Sequence, residues 1–354
     1  MPDKIKVGII GCGGIARIVH IPGYKKLPDV EIVACVDVNE KTAVETTKKF
    51  NIPRYYTDYH KMFDEEELDA VSICTPNVFH KEPAILAMRS GAHVLTEKPM
   101  AATLDDAKEM YYASKKYNKI LIVAFQTRFH TGINALKKLI DDESLGDVYY
   151  ARSRYLRSWG IPPSLTFINK KFSGGGALLD IGCYAVDNAL YVLGYPRPKS
   201  VLASTFTKFG NDPTLADQGC WGGKWRVDDF DVDDNAFGIV RFEKDLMVLI
   251  ETNWASYTKE TGMNLILYGT RGGARLEPFE VYGDIAGFRS VTTIQGSFPK
   301  VNTQEMKIAK FIESIKEGKP LYAPAIEGLR DQAILQAFYE SAEKKESVKV
   351  EWDF

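Results

Sequence analysis

Five nearly continuous apolar runs, IKVGII, EIVACVD, DAVSICT, HVLTEK and KILIVAF, recur through the first 124 residues. A helical pattern follows each of the first four: from about residue 14, through about 40 to 50, from about 79 to 90, and from Leu104 to Tyr117. This alternation constrains the chain more than any other feature. Strands without a polar face must be covered on both sides, and the intervening helices can supply that cover only if the strands run parallel. The expectation is an α/β fold class whose first domain, residues 1–124, is a doubly wound Rossmann dinucleotide-binding domain.

From about residue 145 the texture changes to longer strand patterns, VYYARSRYL, SVLASTFT, NAFGIVRF, LMVLIETNW and NLILYG, with less helix between them. The turn signals EKD and GTRGG suggest antiparallel hairpins or meanders. Residues 125–354 therefore read as an α+β domain on a large, mostly antiparallel open sheet, with helices near 303 to 317 and 325 to 345. The stretch 208–232, rich in Gly and Asp, reads as a long loop or insertion. A chain of 354 residues exceeds what one hydrophobic core usually serves, in keeping with two domains.

Composition narrows the partners. With 26% charged residues and a net charge of −2, no basic patch argues for nucleic acid or an anionic membrane, and neither is expected. The five cysteines, Cys12, Cys35, Cys74, Cys183 and Cys220, are scattered and never spaced as C-x-x-C. That excludes a disulfide framework or zinc site and implies a reducing, cytoplasmic environment. The opening MPDKIKVGIIGCGG lacks the charged start and long apolar core of a signal peptide, and no later apolar run is expected to reach the eighteen or so residues of a membrane span.

Gly11-Cys12-Gly13-Gly14-Ile15-Ala16 fits G-x-G-x-x-G/A after a strand and at a helix start. Gly11 permits the tight turn, Gly13 lets the backbone approach a pyrophosphate, and the small residue at the third position lets helix and strand pack closely. Gly14 and Ile15 open the helix, whose N–H groups face phosphates. Asp37 ends the second strand about 20 residues further on, where a carboxylate can accept both ribose hydroxyls and repel a 2′-phosphate. Val38 and Asn39 offer no arginine to receive one, so NAD is favoured over NADP. Two further segments, Thr75-Pro76-Asn77 with His80 and Glu97-Lys98-Pro99, stand at strand ends, where open α/β sheets place ligands.

Residues 174–194, GGGALLDIGCYAVDNALYVLG, read as an apolar helix opened by glycines, yet Asp180, Tyr184, Asp187 and Tyr191 fall within an arc of roughly 60° at about 100° per residue. EKP after the fourth Rossmann strand, TPN-x-x-H after the third and GGG-x-L-x-D-x-G-x-Y on this helix together resemble the glucose-fructose oxidoreductase / inositol dehydrogenase (Gfo/Idh/MocA) family of NAD(P)-dependent oxidoreductases. The resemblance spans the chain, including FIESIKEGKPLYAPAIEGLRDQAILQAFYES near its end. It implies that Lys98 and Asp180 belong to the catalytic group, with Tyr184 where inositol dehydrogenase-like members carry His. That departure weakens transfer of a cyclitol substrate and leaves the redox chemistry in place. Association through the C-terminal sheet as a homodimer or homotetramer is likewise implied.

Oxidising a secondary alcohol by hydride transfer requires removal of its hydroxyl proton, and a side chain can do this without a metal. A tyrosine, with a reference pKa of about 10, needs a neighbouring cation, and Lys98 is the candidate. Asp180 and Tyr184, at i and i+4, should share a helix face, with Asp180 holding a substrate hydroxyl or orienting Lys98 and Tyr184 exchanging the proton. The stripe is expected to line a cleft between the domains. His80 reads as a helix-start residue that positions cofactor, Gln126 as a cofactor contact, and Arg128 as structural. Arg157 and Trp159, leading out of a strand toward the GGG helix, supply hydrogen-bond donors and a flat apolar face suited to a polyhydroxylated ring, with Lys170 beside them. The expected function is an NAD-dependent dehydrogenase of a sugar, sugar derivative or cyclitol. The alternatives are an NAD-dependent glycosidase or epimerase that regenerates its cofactor, and a non-catalytic sensor of the same fold.

Overall fold

The computed structural model describes residues 4–293, 298–319 and 321–354. The chain divides into two compact units, Met1–Gln126 with Asn302–Leu329, and Thr127–Val301 with Arg330–Phe354. The second segment of the first unit departs from a single division after residue 124. Its helix Thr303–Glu317 lays Ile308 against Gly23, where an added Cβ would stand 3.0 Å from the Ile308 side chain, and sends Lys307 to Glu97. No local pattern announces contacts between residues so far apart in sequence.

Among the described residues of the first unit, six strands form one parallel sheet: β1 (Ile5–Ile10), β2 (Val30–Val36), β3 (Arg54–Tyr56), β4 (Ala70–Ile73), β5 (His93–Thr96) and β6 (Leu121–Val123). Their order, β3-β2-β1-β4-β5-β6, reverses between β1 and β4, the point at which a doubly wound sheet opens a crevice at its carboxyl edge. The apolar runs became these strands. Three-residue β3 and helix Tyr59–Glu65, too short for a periodic signal, were not foreseen. Helices Glu40–Phe50 and Leu104–Lys116 begin where Asn39 and Thr103 accept main-chain N–H bonds from Thr42 and Asp106.

The second unit carries β7 (Val148–Leu156), β8 (Pro198–Phe206), β9 (Asn235–Phe242), β10 (Met247–Asn253), β11 (Gly262–Gly269), β12 (Gly273–Arg275), β13 (Glu280–Ile285), β14 (Phe288–Thr293) and β15 (Val348–Lys349) in one sheet of order β14-β13-β12-β11-β7-β10-β9-β8-β15. It is antiparallel as expected, with the exception of β7 and β10, which pair in parallel from Tyr150 with Met247 to Leu156 with Asn253. Alternate residues Ala151, Ser153, Val248, Ile250 and Thr252 are buried on the face that packs beneath helix Cys183–Leu193. Within 208–232, read as a loop, lies a short helix, Pro213–Gln218.

The segment read as one helix from residue 174 has three parts. A short helix, Lys170–Ser173, ends at Gly174 with φ +77°, bends follow at Gly175 and Gly176, and a π-helical turn, Leu178–Gly182, leads into α-helix Cys183–Leu193. Asp233 serves as the cap: its carboxylate accepts from Gly176 N–H at 2.8 Å, Leu178 N–H at 2.9 Å and Tyr339 Oη–H at 2.8 Å, and its carbonyl accepts from Ala177 N–H. Burial raises the pKa of Asp233, and these donors oppose that shift. The helical stretch Lys170–Leu193 is long and apolar enough to cross a membrane, contrary to the expectation that no run reaches that length. Its apolar window is 89% buried inside the protein, the setting of a core helix.

A Cβ on Gly176 would stand 1.8 Å from the Asp233 carbonyl oxygen. Gly176→Ala is therefore expected to displace the cap and cost more than about 2 kcal/mol, read as a lower denaturation midpoint. An unchanged midpoint would mean that this close approach does not set the helix start.

Candidate active site

The candidates of the first unit follow the carboxyl ends of its strands. Gly11 follows β1, Asp37 follows β2, Thr75 and Asn77 follow β4, Glu97 and Lys98 follow β5, and Gln126 lies beyond β6. Gly11 adopts φ +90°, and a Cβ there would come within 2.8 Å of the Cys74 backbone, so the turn admits glycine alone. Gly13 and Gly14 differ: a Cβ on either would meet no protein atom within 4 Å. Packing does not require glycine at these two positions, whereas a phosphate approaching the main chain does.

Asp37 accepts from Cys12 N–H through Oδ2 and from Asn39 N–H through Oδ1, both at 2.9 Å. These bonds fix the carboxylate beside the glycine turn and leave each oxygen a lone pair for a ribose hydroxyl. Ile15 is half-buried at the start of the helix. The edge thus fits a dinucleotide on its own geometry.

Two residues of the cofactor segments, His80, read as positioning the cofactor, and Glu97, are buried at this edge. His80 is fully buried, with Nε2 3.0 Å from the Thr75 carbonyl and Nδ1 3.1 Å from that of Pro99, so it ties the loop after β4 to the loop after β5. Glu97 turns inward, where its Oε1 accepts from Lys307 Nζ and from His20 Nε2 at 2.8 Å. Ser72 lies 2.9 Å from His20 Nδ1 and 2.7 Å from Tyr24 Oη. One donor sequence satisfies the whole cluster: Tyr24 to Ser72, Ser72 to a neutral His20, and His20 with Lys307 to Glu97. Burial by itself would raise the Glu97 pKa, but the Lys307 cation and the His20 hydrogen bond hold it well below the usual carboxylate range. Burial, together with the Lys307 charge, lowers that of His20. The readable signal for this cluster was a lysine on the apolar face of 303–317, in the company of Ile308, Phe311 and Ile312.

In the second unit the polar stripe separates into two halves. Asp187, fully buried, is gripped by Arg128, whose Nε lies 3.0 Å from Oδ1 and whose Nη2 also binds that oxygen. The Arg128 guanidinium lies 4.9 Å from the Tyr191 ring centre. This half is structural, as Arg128 was expected to be.

The other half is built around Asp180. Its Oδ2 accepts from the indole N–H of Trp254 at 2.9 Å and stands 3.7 Å from Arg157 Nη1. Trp254, fully buried, directly follows β10, and Arg157 directly follows β7, so the parallel pair of Leu156 with Asn253 brings an indole donor and a guanidinium charge to one carboxylate oxygen. Tyr184 is 7% exposed, its ring centre 6.1 Å from that of Tyr155. The π-helical turn through Asp180 replaces the ideal i, i+4 relation assumed for this pair, and a Cβ on Gly182 would press on Thr252 of β10 at 2.9 Å.

Trp159 is half-buried against Trp225 and spends its indole N–H on the Gly219 carbonyl at 3.3 Å, so it offers a face but no donor. Lys170 is exposed in its short helix, and its main-chain N–H donates to Asp231. The stretch 208–232, passed over as a loop, supplies a row of aromatic contacts, Trp159 to Trp225 to Phe230 to Trp254, which ends under Asp180.

The family described as an oxidoreductase family with an NAD-binding Rossmann fold matches residues 5–125, and the GFO/IDH/MocA C-terminal domain matches residues 133–275. The chain is 34% identical to D-glucoside 3-dehydrogenase of Escherichia coli (strain K12) over 96% of each chain. It is 28% identical to levoglucosan dehydrogenase of Pseudarthrobacter phenanthrenivorans over 98% of each. A solved structure of levoglucosan dehydrogenase in complex with NADH superposes with a TM-score of 0.85 at 26% identity, covering 99% of this chain and 100% of that one.

The buried histidines set an acid limit. Burial lowers the pKa of both His20 and His80, so between their folded values and the unfolded value of about 6.5 the unfolded chain binds more protons. Stability should be complete above that value and fall as pH drops, by up to about 1.4 kcal/mol per pH unit for each histidine. Denaturant midpoints across pH measure the slope, and His80→Gln should remove its share. Lys307→Met, which leaves Glu97 buried without its cation, is expected to cost about 3–5 kcal/mol at neutral pH. A loss under about 1 kcal/mol, the range of exposed pairs, would exclude a buried-pair role.

Proposed function

Because the chain belongs to the Gfo/Idh/MocA oxidoreductase family, we propose that it is an NAD-dependent dehydrogenase acting on a secondary alcohol of a sugar or sugar derivative. The observation that carries this reading is the carboxylate of Asp180, fixed by Trp254 and Arg157 one helical turn from Tyr184, in a chain whose other unit presents a dinucleotide edge. The names of the relatives, D-glucoside 3-dehydrogenase and levoglucosan dehydrogenase, favour a sugar derivative over a cyclitol.

NAD, when bound, supplies the acceptor for the substrate's hydride. Gly13 and Gly14 admit its pyrophosphate and Asp37 accepts its ribose hydroxyls, with Thr75, Asn77 and Gln126 along the same edge. His80 and Glu97 hold that edge from behind. Asp180 orients a substrate hydroxyl, Tyr184 takes the proton of the hydroxyl on the carbon being oxidised, and Lys98, in the EKP segment that the family resemblance marks, is a further catalytic residue. Arg157 and the face of Trp159 meet the rest of the ring.

Formation of NADH, followed by absorbance with aldoses, sugar acids, inositols and glycosides, tests the reading. Turnover of one sugar class is expected, with Tyr184→Phe and Lys98→Ala each lowering kcat about 100- to 10,000-fold. Tight NAD binding without net reduction, accompanied by glycoside cleavage, would replace it with internal redox cycling.

The same proposal includes a homodimer or homotetramer through the second unit's sheet. The face away from helix Cys183–Leu193 carries a cross-strand row, Leu202, Ile239, Leu249, Arg152 and Ile266, beside the contacting rings of Tyr150 and Tyr268. Apolar side chains on a sheet face left partly exposed favour a partner. Five buried cysteine thiols support a reducing, cytoplasmic setting. Light scattering should give a dimer or tetramer, and Ile239→Lys with Leu249→Lys should give a monomer that still folds. A monomeric wild-type protein would refute this arrangement.

A further inference from the structure

Within 208–232, Cys220 and Gly223 exchange main-chain hydrogen bonds at 2.8 and 3.0 Å around a two-residue turn, Trp221-Gly222, in which both residues have positive φ, +50° and +77°. Such turns favour Asn, Asp or Gly at their first central position. Here it is a tryptophan, held in the left-handed region and 61% exposed. That choice is costly for folding: the backbone is strained, and most of a large ring is left in water.

The turn is docked rather than loose. Cys220 is buried, the Gly219 carbonyl accepts from the Trp159 indole, and a Cβ on Gly223 would press on Pro163 at 2.5 Å. One contact engages the Trp221 ring from the side of the proposed site. The guanidinium of Arg157 lies 4.5 Å from its centre, and that guanidinium is pinned by the Gly160 carbonyl at 2.9 Å and by Asp180 Oδ2 at 3.7 Å. Arg157 thus lies between the carboxylate that orients a substrate hydroxyl and an indole whose remaining surface is open.

We propose that Trp221 walls an aglycone subsite, in which its open face stacks on the apolar face of a ring attached to the sugar held by Asp180. This rests on the dehydrogenase reading above and narrows its substrate class to glycosides whose aglycone is a ring. The Arg157 guanidinium contacts both Trp221 and Asp180, so a group stacked on the indole falls beside the sugar whose hydroxyl Asp180 holds. Indole and guanidinium together offer a flat, rigid surface with hydrogen-bond donors at its rim, the chemistry that recognises a ring bearing hydroxyls.

Calorimetric titration of the NADH-bound protein with phenyl and methyl glucoside tests the subsite without turnover. The phenyl glycoside is expected to bind about tenfold more tightly to the wild type, a preference lost in Trp221→Ala and kept in Trp221→Phe. Trp221→Gly, which relieves the strained backbone, should melt at or above the wild-type temperature while losing the same preference. A preference that survives Trp221→Ala, or a wild type that binds the two glycosides equally or binds neither, overturns the subsite. Its fate is distinguishable from that of the enzyme reading. Preferential binding without NADH formation from NAD removes the dehydrogenase and leaves the subsite, whereas equal kcat/KM for both glycosides removes the subsite and leaves the dehydrogenase.

Discussion

One parallel pair inside an otherwise antiparallel sheet organises the second unit. Because β7 and β10 run in the same direction and in register, their carboxyl ends lie side by side, and the residues that follow, Arg157 and Trp254, reach the same oxygen of Asp180. An antiparallel pair would have sent one of them to the far end of the sheet. Parallel neighbours require a long crossover, and here it contains the GGG segment, the π-helical turn and the helix that carry Asp180 and Tyr184. The strands and the helix are therefore parts of one device, with Gly182 allowing the helix close to Thr252.

In the first unit the dependence runs through a buried charge. Glu97 directly follows β5 and precedes Lys98, and its carboxylate is held by Lys307 and His20 in a cluster that reaches Ser72 of β4 and Tyr24. A buried carboxylate is tolerable only with such compensation, and the compensation fixes the strand ends that carry the dinucleotide edge. His80 adds a second tie between the loops after β4 and β5. His80 and Glu97, buried at the strand ends, thus bear on the position of the loops that carry the edge.

Much of the fold was legible because it rests on local periodicity. Apolar runs at strand length, helices between them and a glycine turn followed by Asp37 identify a doubly wound sheet and its dinucleotide edge. The half-site at Asp180 and Tyr184 was legible as a polar stripe on an apolar helix, although the stripe has two functions: Asp187 and Tyr191 serve the buried Arg128. The stretch 208–232, read from its Gly and Asp as a long loop or insertion, is one apart from helix Pro213–Gln218 and the short turn Val227–Asp229, but its composition did not show what it touches. Its aromatics make contacts with distant residues, and just beyond it Asp234 accepts from the N–H groups of Phe209 and Gly210 at its start while Asp233 accepts from those of Gly176 and Leu178.

The sequence by itself determined which residue types stand at each strand end and helix start, since those depend on backbone conformation and on neighbours within a few positions. Gly11 needs a positive φ and Thr103 or Asn39 needs an adjacent helix, and both requirements are local. Tertiary structure alone decided the partners. Parallel rather than antiparallel pairing of β7 with β10, the capture of Glu97 by Lys307 from 210 residues away, and the seating of Trp221 on Arg157 each join surfaces whose fit depends on the packed sheet. The period of a strand fixes which side chains share a face, but it carries no information about the neighbour across that face or the direction in which it runs.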